Sequence, residues 1–166
     1  MNDDTLLEVA NAMADIDHPV KVAASEWARE NIGRRDLVEA DRESLFSRDD
    51  WNKCADHGVL ATMVPTALGG AGSSLATTLL TLEGLGHGCA DNGLTFAMAS
   101  QILSTQLVLE RYCSTEQQQQ WMPGLLDGSL IGAFAITEPD SGSDAFSMSA
   151  TAEPLPDGGY LLNGHK

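Results

Sequence analysis

The sequence predicts a mainly α fold, an all-helical domain over residues 1–128 that runs into the opening strands of a β-domain over residues 129–166. Three observations carry this. Apolar residues recur at helical spacing through the first three quarters of the chain, and the candidate helices there are bracketed by start and stop signals. After Gly128 the pattern changes to short β-prone segments divided by Pro, Asp and Gly.

Taken in order, Leu6 to Ala14 and Val20 to Ile32 form two amphipathic helices, the second turning Val20, Ala23, Ala24, Trp27 and Ala28 inward before Gly33 ends it. Ser47 followed by Asp50 fits a capping box, with Trp51, Cys54 and Ala55 on the inner face and Gly58 after the last turn. Val59 to Pro65 leads into the loop Gly69-Gly70-Ala71-Gly72, and a new helix runs from about Ser73 to Gly84. Gly84-Leu85-Gly86-His87-Gly88 then reads as a helix connection. Neither glycine cluster has the Gly-x-Gly-x-x-Gly spacing of a dinucleotide site after a strand. The longest periodic stretch, Asn92 to Tyr112, brings Leu94, Met98, Ile102 and either Gln106 or Leu107 about one turn apart, as a helix central to the core requires. Ser114-Thr115-Glu116-Gln117 opens another helix by the Ser-x-x-Gln box, turning Trp121, Leu125 and Leu126 inward, leaving its Gln run solvated and stopping near Gly128. Leu130 to Thr137, Ser147 to Ala152 and Tyr160 to Leu162 read as strands, with Asp157-Gly158 as the hairpin turn. The last residue, Lys166, falls in mid-sheet, leaving a strand edge to be paired.

Composition excludes several functions. Acidic residues number 24 against 9 basic, a net charge of −15, so the basic patch that nucleic acid demands is missing. The first twenty residues lack the basic start and apolar run of a secretory signal, and no stretch approaches a membrane span. Cys54, Cys89 and Cys113 are odd in number and widely spaced, which fits reduced cytosolic thiols, mostly buried, rather than a disulfide framework. His18, His57, His87 and His165 are too dispersed for a metal site. Trp27, Trp51 and Trp121 are expected in the core, and Glu83 as an exposed charge.

The segment most open to chemistry is Phe134-Ala135-Ile136-Thr137-Glu138-Pro139-Asp140-Ser141-Gly142-Ser143-Asp144, where an apolar strand breaks into a loop dense in hydroxyls. Thr137 has a hydroxyl and an N–H for the polar edge of a heterocycle, and Gly142 and Ser143 have N–H groups and a hydroxyl for a phosphate. The same residue types also make ordinary turns, and on chemistry alone both readings stand.

That segment resembles the first signature of the acyl-CoA dehydrogenase family: an apolar strand, Thr or Ser, Glu-Pro, two variable residues, then Gly-Ser-Asp. Val64-Pro65 with Gly69-Gly70-Ala71-Gly72 is similar to the family's Pro-x-x-x-Gly-Gly-x-Gly loop, Ser114 to Gly128 to its polar helix, and Asn163-Gly164-His165-Lys166 to its Asn-Gly-x-Lys turn. The resemblance implies a helical amino-terminal domain followed by a β-barrel-like middle domain and FAD as cofactor. It puts Phe134, Ala135, Ile136 and Thr137 beside the flavin ring, and Gly142 and Ser143 near the pyrophosphate. Ser143, with Phe96 and Ser100 as pocket walls, would touch the acyl thioester. Asp140 stands where some members have Gly, so its carboxylate must face solvent or cap a backbone N–H.

The implied reaction is α,β-dehydrogenation of an acyl-CoA in fatty acid metabolism. Electrons would pass to an electron-transfer flavoprotein, and the intact protein would be a cytoplasmic homotetramer. The catalytic carboxylate is expected beyond Lys166, so the 166 residues alone are expected to be inactive and to hold FAD weakly or not at all. Two other readings share this half: a flavin-dependent monooxygenase of the same fold, and a non-catalytic assembly module paired with a second half.

Overall fold

A computed structural model describes residues 3–33 and 35–166. It divides into two compact units, Met1–Ala133 and Phe134–Lys166. The first is helical, as expected. It contains α1 (Asp3–Ala14), α2 (Pro19–Asn31), α3 (Leu37–Arg42), α4 (Arg48–Asp56), α5 (Leu75–Gly88) and α6 (Asn92–Ser100). A π-helical stretch, Gln101–Gln106, then passes without a break into α7 (Leu107–Tyr112), and α8 (Thr115–Leu126) follows. The second unit holds an antiparallel hairpin of β1 (Thr151–Pro154) and β2 (Tyr160–Asn163), with Thr151 opposite Asn163.

Side-chain caps set most helix starts. Asp36, Ser47, Ser74, Asp91 and Ser114 each accept from a backbone N–H in the first turn, where helical donors have no partner within the helix. The box at Ser114 is complete, with Gln117 accepting from the Ser114 N–H. At α4 only half of it forms, because the Asp50 carboxylate takes the Gly33 N–H instead. The core gathers Trp51, Leu60, Leu85, Leu94, Met98 and Ile102, and a smaller cluster joins Val64, Leu109, Met122 and Leu125. Trp51 is fully buried and donates to the Gly128 carbonyl at 2.9 Å, which together with Arg48 fixes the exit from α8.

Several expectations need correction. The helix read as ending at Gly84 continues to Gly88, because its glycines are contact points rather than a connection. A Cβ at Gly84 would lie 2.4 Å from the Lys21 carbonyl oxygen, and one at Gly88 2.1 Å from that of Ser25, so α2 lies directly on these positions. Glu83 is no free charge: it pairs at 2.9 Å with Lys21, which is 4% exposed and also donates to the Met13 carbonyl. Trp121 points outward. Gln118, Met122 and Leu125, spaced four and three apart, are the inner stripe of α8, and Gln118 donates to the last carbonyls of α7 rather than to solvent alone. Trp27 is half-buried, stacked on His57 at 4.0 Å, and Ala23 is exposed.

The long helix is where sequence and structure differ most usefully. Gln106, not Leu107, takes the buried position, and Gln101 is buried beside it. Residues five apart lie about 140° around the axis of an α-helix; the π stretch, in which the Leu107 N–H bonds the Ile102 carbonyl, brings both glutamines to the Leu125 carbonyl, at 3.0 and 3.1 Å. Gln101 also donates to the Leu130 carbonyl and accepts from the Gly132 N–H. The expected strand Leu130 to Thr137 is accordingly not a strand: its residues are mostly exposed and no neighbouring strand pairs with them among the described residues. The expected strand from Ser147 starts only at Thr151, because Ala145–Ser147 is a 3-10 turn and Ser149 is committed to Glu138.

Candidate functional site

The segment singled out by its chemistry lies in the second unit and is organised around Glu138. A four-residue turn closes with the Glu138 N–H donating to the Ser141 carbonyl at 2.9 Å and the Ser141 N–H returning to the Glu138 carbonyl at 3.2 Å. Pro139 fits the second position of such a turn because its φ is preset. The buried Ser141 hydroxyl donates to the Asp144 carbonyl at 2.7 Å, and the Ser147 hydroxyl bonds the Asp144 carboxylate.

The Glu138 carboxylate is buried and fully used. One oxygen accepts from the Ser149 N–H at 2.6 Å and the Ser149 hydroxyl at 2.9 Å; the other accepts from the Ala150 N–H at 3.0 Å and lies 3.0 Å from the Lys166 ammonium. The Ser149 N–H foremost, with Lys166, the Ala150 N–H and the Ser149 hydroxyl, holds its pKa down from 4.5 to about 2 against a burial that would raise it. Lys166 also donates to the Ile136 carbonyl at 2.9 Å.

Around this anchor, Phe134, Ala135, Ile136, Thr137, Gly142 and Ser143 are all exposed. The N–H groups of Ala135, Ile136, Thr137, Gly142 and Ser143, and the Thr137 and Ser143 hydroxyls, have no hydrogen-bond partner among the described residues. No atom lies within 4 Å of where a Gly142 Cβ would stand. A backbone held rigidly on one side with free donors on the other suits a polar heterocycle and a phosphate. Asp140 is exposed, which meets the condition set for a carboxylate there. Phe96, 74% exposed, and half-buried Ser100 share a face of α6 and belong to the helical unit. Sequence reasoning gave no role to Glu138 or Lys166; the signal was a carboxylate inside the motif and a cation in the Asn-Gly-x-Lys turn. No trio of His, Cys, Asp or Glu that could hold a metal occurs among the described residues. Burial pushes the Cys54 thiol up to about 12, which makes it a packing group rather than a nucleophile. No helix of the described residues is long and apolar enough to cross a membrane.

This helical unit, followed by a loop and hairpin of this pattern, defines an acyl-CoA dehydrogenase amino-terminal region. Residues 18–129 match the family model of the acyl-CoA dehydrogenase N-terminal domain, and the chain belongs to that family. It is 38% identical over 124 residues to the L-prolyl-(peptidyl-carrier protein) dehydrogenase of Serratia sp., covering 75% of this chain and 32% of that protein. It is 34% identical over 129 residues to the mitochondrial short-chain specific acyl-CoA dehydrogenase of Rattus norvegicus, covering 78% and 31%. Among solved structures, the prolyl acyl carrier protein oxidase AnaB matches with a TM-score of 0.81 at 34% identity, over 99% of this chain and 40% of that one. The FAD complex of PigA matches at 0.80 and 34% identity, over 87% and 37%. The chain thus spans about a third of the length of the curated relatives it matches.

Proposed function

We propose that this protein holds FAD and dehydrogenates the α,β carbon–carbon bond of an acyl thioester, with acyl-CoA as substrate. The observation that carries this is the set of outward, unpartnered donors between Ala135 and Ser143 on a loop locked from behind by Glu138. Phe134, Ala135 and Ile136 would flank the flavin ring, Thr137 would donate to its polar edge, and Gly142 and Ser143 would hold the pyrophosphate, with Gly142 leaving room for close approach. Ser143, Phe96 and Ser100 are assigned to the acyl group. Bound FAD supplies the hydride acceptor; this chain's part is to position and solvate that cofactor. An electron-transfer flavoprotein as acceptor, a homotetrameric assembly and a cytoplasmic setting complete the reading.

The likeness to prolyl-carrier dehydrogenases favours a second reading, a carrier-bound aminoacyl substrate, against which the net charge of −15 would work by repelling an acidic carrier. The test is the visible spectrum of the purified protein, as this chain and with any coding sequence that follows it. The extended product is expected to be yellow and bleached by an acyl-CoA, and the 166-residue chain alone to hold little or no flavin. Bleaching only by a prolyl-loaded carrier protein selects the second reading, and a protein that never takes up flavin overturns both.

A further inference from the structure

We infer that Lys166 is a positioning residue for the flavin. Given that the flavin lies against residues 134–143 as proposed, the Lys166 ammonium polarises the Ile136–Thr137 peptide and makes the Thr137 N–H a strengthened donor toward the cofactor. The geometry is specific. The ammonium is 2.9 Å from the Ile136 carbonyl oxygen, 3.0 Å from Glu138 and 3.7 Å from the Met148 sulfur. Its seat is rigid because Glu138 is itself pinned by two backbone N–H groups and a hydroxyl.

The Ile136 carbonyl and the Thr137 N–H belong to one planar trans peptide, so they point in opposite directions. Lys166 therefore approaches from one side, and the Thr137 N–H, which has no partner among the described residues, leaves from the other. Withdrawing electron density at the oxygen of an amide strengthens donation from its nitrogen, the cooperativity that runs along hydrogen-bonded chains. The Lys166–Glu138 pair is neutral overall, so its influence reaches the flavin through this peptide more than through bare charge. A flavin gains electron density on its ring edge when reduced, so a stronger donor there favours the reduced form.

The test has a part that needs no flavin. In NMR spectra of the 166-residue chain, Lys166→Met should move the Ile136 carbonyl carbon and the Thr137 amide proton upfield, and Lys166→Arg should restore both. Unmoved signals, with the Ser149 amide still protected, overturn the proposal. Should Lys166→Met unfold the unit, the unsubstituted chain decides: a coupling through the hydrogen bond between the Lys166 Nζ and the Ile136 carbonyl carbon supports the proposal, and its absence overturns it. In the flavin-loaded protein, the double variant Lys166→Met, Glu138→Gln removes both charges. It should weaken binding of reduced relative to oxidised flavin up to tenfold, about 30 mV for a two-electron couple; an unchanged potential overturns the proposal. If the Ile136 and Thr137 signals respond to Lys166 but the protein extended by its following coding sequence binds no flavin, the polarised peptide stands and the cofactor assignment is overturned instead.

Discussion

Glu138 shows how one side chain can set the geometry of a loop it does not itself present to a ligand. Its carboxylate gathers the Ser149 and Ala150 N–H groups, the Ser149 hydroxyl and Lys166, joining the turn at Pro139 to the approach of β1. Because its pKa is depressed in the fold, the stabilisation is complete above the unfolded value of 4.5 and is lost as pH falls toward about 2. Protection of the Ser149 amide should therefore be flat from pH 7 to about 4.5 and fall below that. In Glu138→Gln it should be lower throughout and lack this acid step; an acid step that survives the substitution assigns the titration to another carboxylate. The pair of buried Lys21 with half-buried Glu83 sits at the α2–α5 contact that Gly84 and Gly88 permit, so these two small positions bring a cation and its partner together.

At the scale of elements, the π stretch in the long helix has an identifiable job. It turns Gln101 and Gln106 to one side, where they serve the Leu125 carbonyl, one of the acceptors that α8 leaves without helical partners at its end. The two glutamines are not equivalent. Gln101 makes three bonds, to Leu125, Leu130 and Gly132, whereas Gln106 makes one and leaves its side-chain oxygen buried without a partner. Gln101→Met should cost about 2–3 kcal/mol in denaturant unfolding, and Gln106→Met within about 1 kcal/mol, since it removes an unsatisfied acceptor along with one bond. Equal losses would mean that the π stretch is held by packing alone. The same contrast explains why Leu130 to Ala133 is not a strand: its backbone is engaged by Gln101 rather than by a neighbouring strand.

For the whole molecule, the two units differ in how they are held. The helical unit has a buried core, while every residue of β1 and β2 is exposed and the hairpin has just one turn between its strands. A lone two-stranded hairpin is marginal in water, so its amides should exchange much faster than those of Leu85 or Met98, and equal protection in hydrogen exchange would disprove this. By itself the chain determined the helical class, the caps at Ser47 and Ser114, the core places of Trp51, Cys54, Leu94, Met98 and Ile102, and the hairpin at Asp157-Gly158, because those depend on residues within one or two turns of each other. Only the tertiary structure decided that Gly84 and Gly88 are contact points, that Trp121 faces out, that Gln101 and Gln106 share a carbonyl, and that Lys166 reaches Ile136. Each of these turns on a partner distant in sequence or, for Trp121, on which face of α8 is covered, and helical periodicity carries no information about which neighbour will cover a face or claim a polar group.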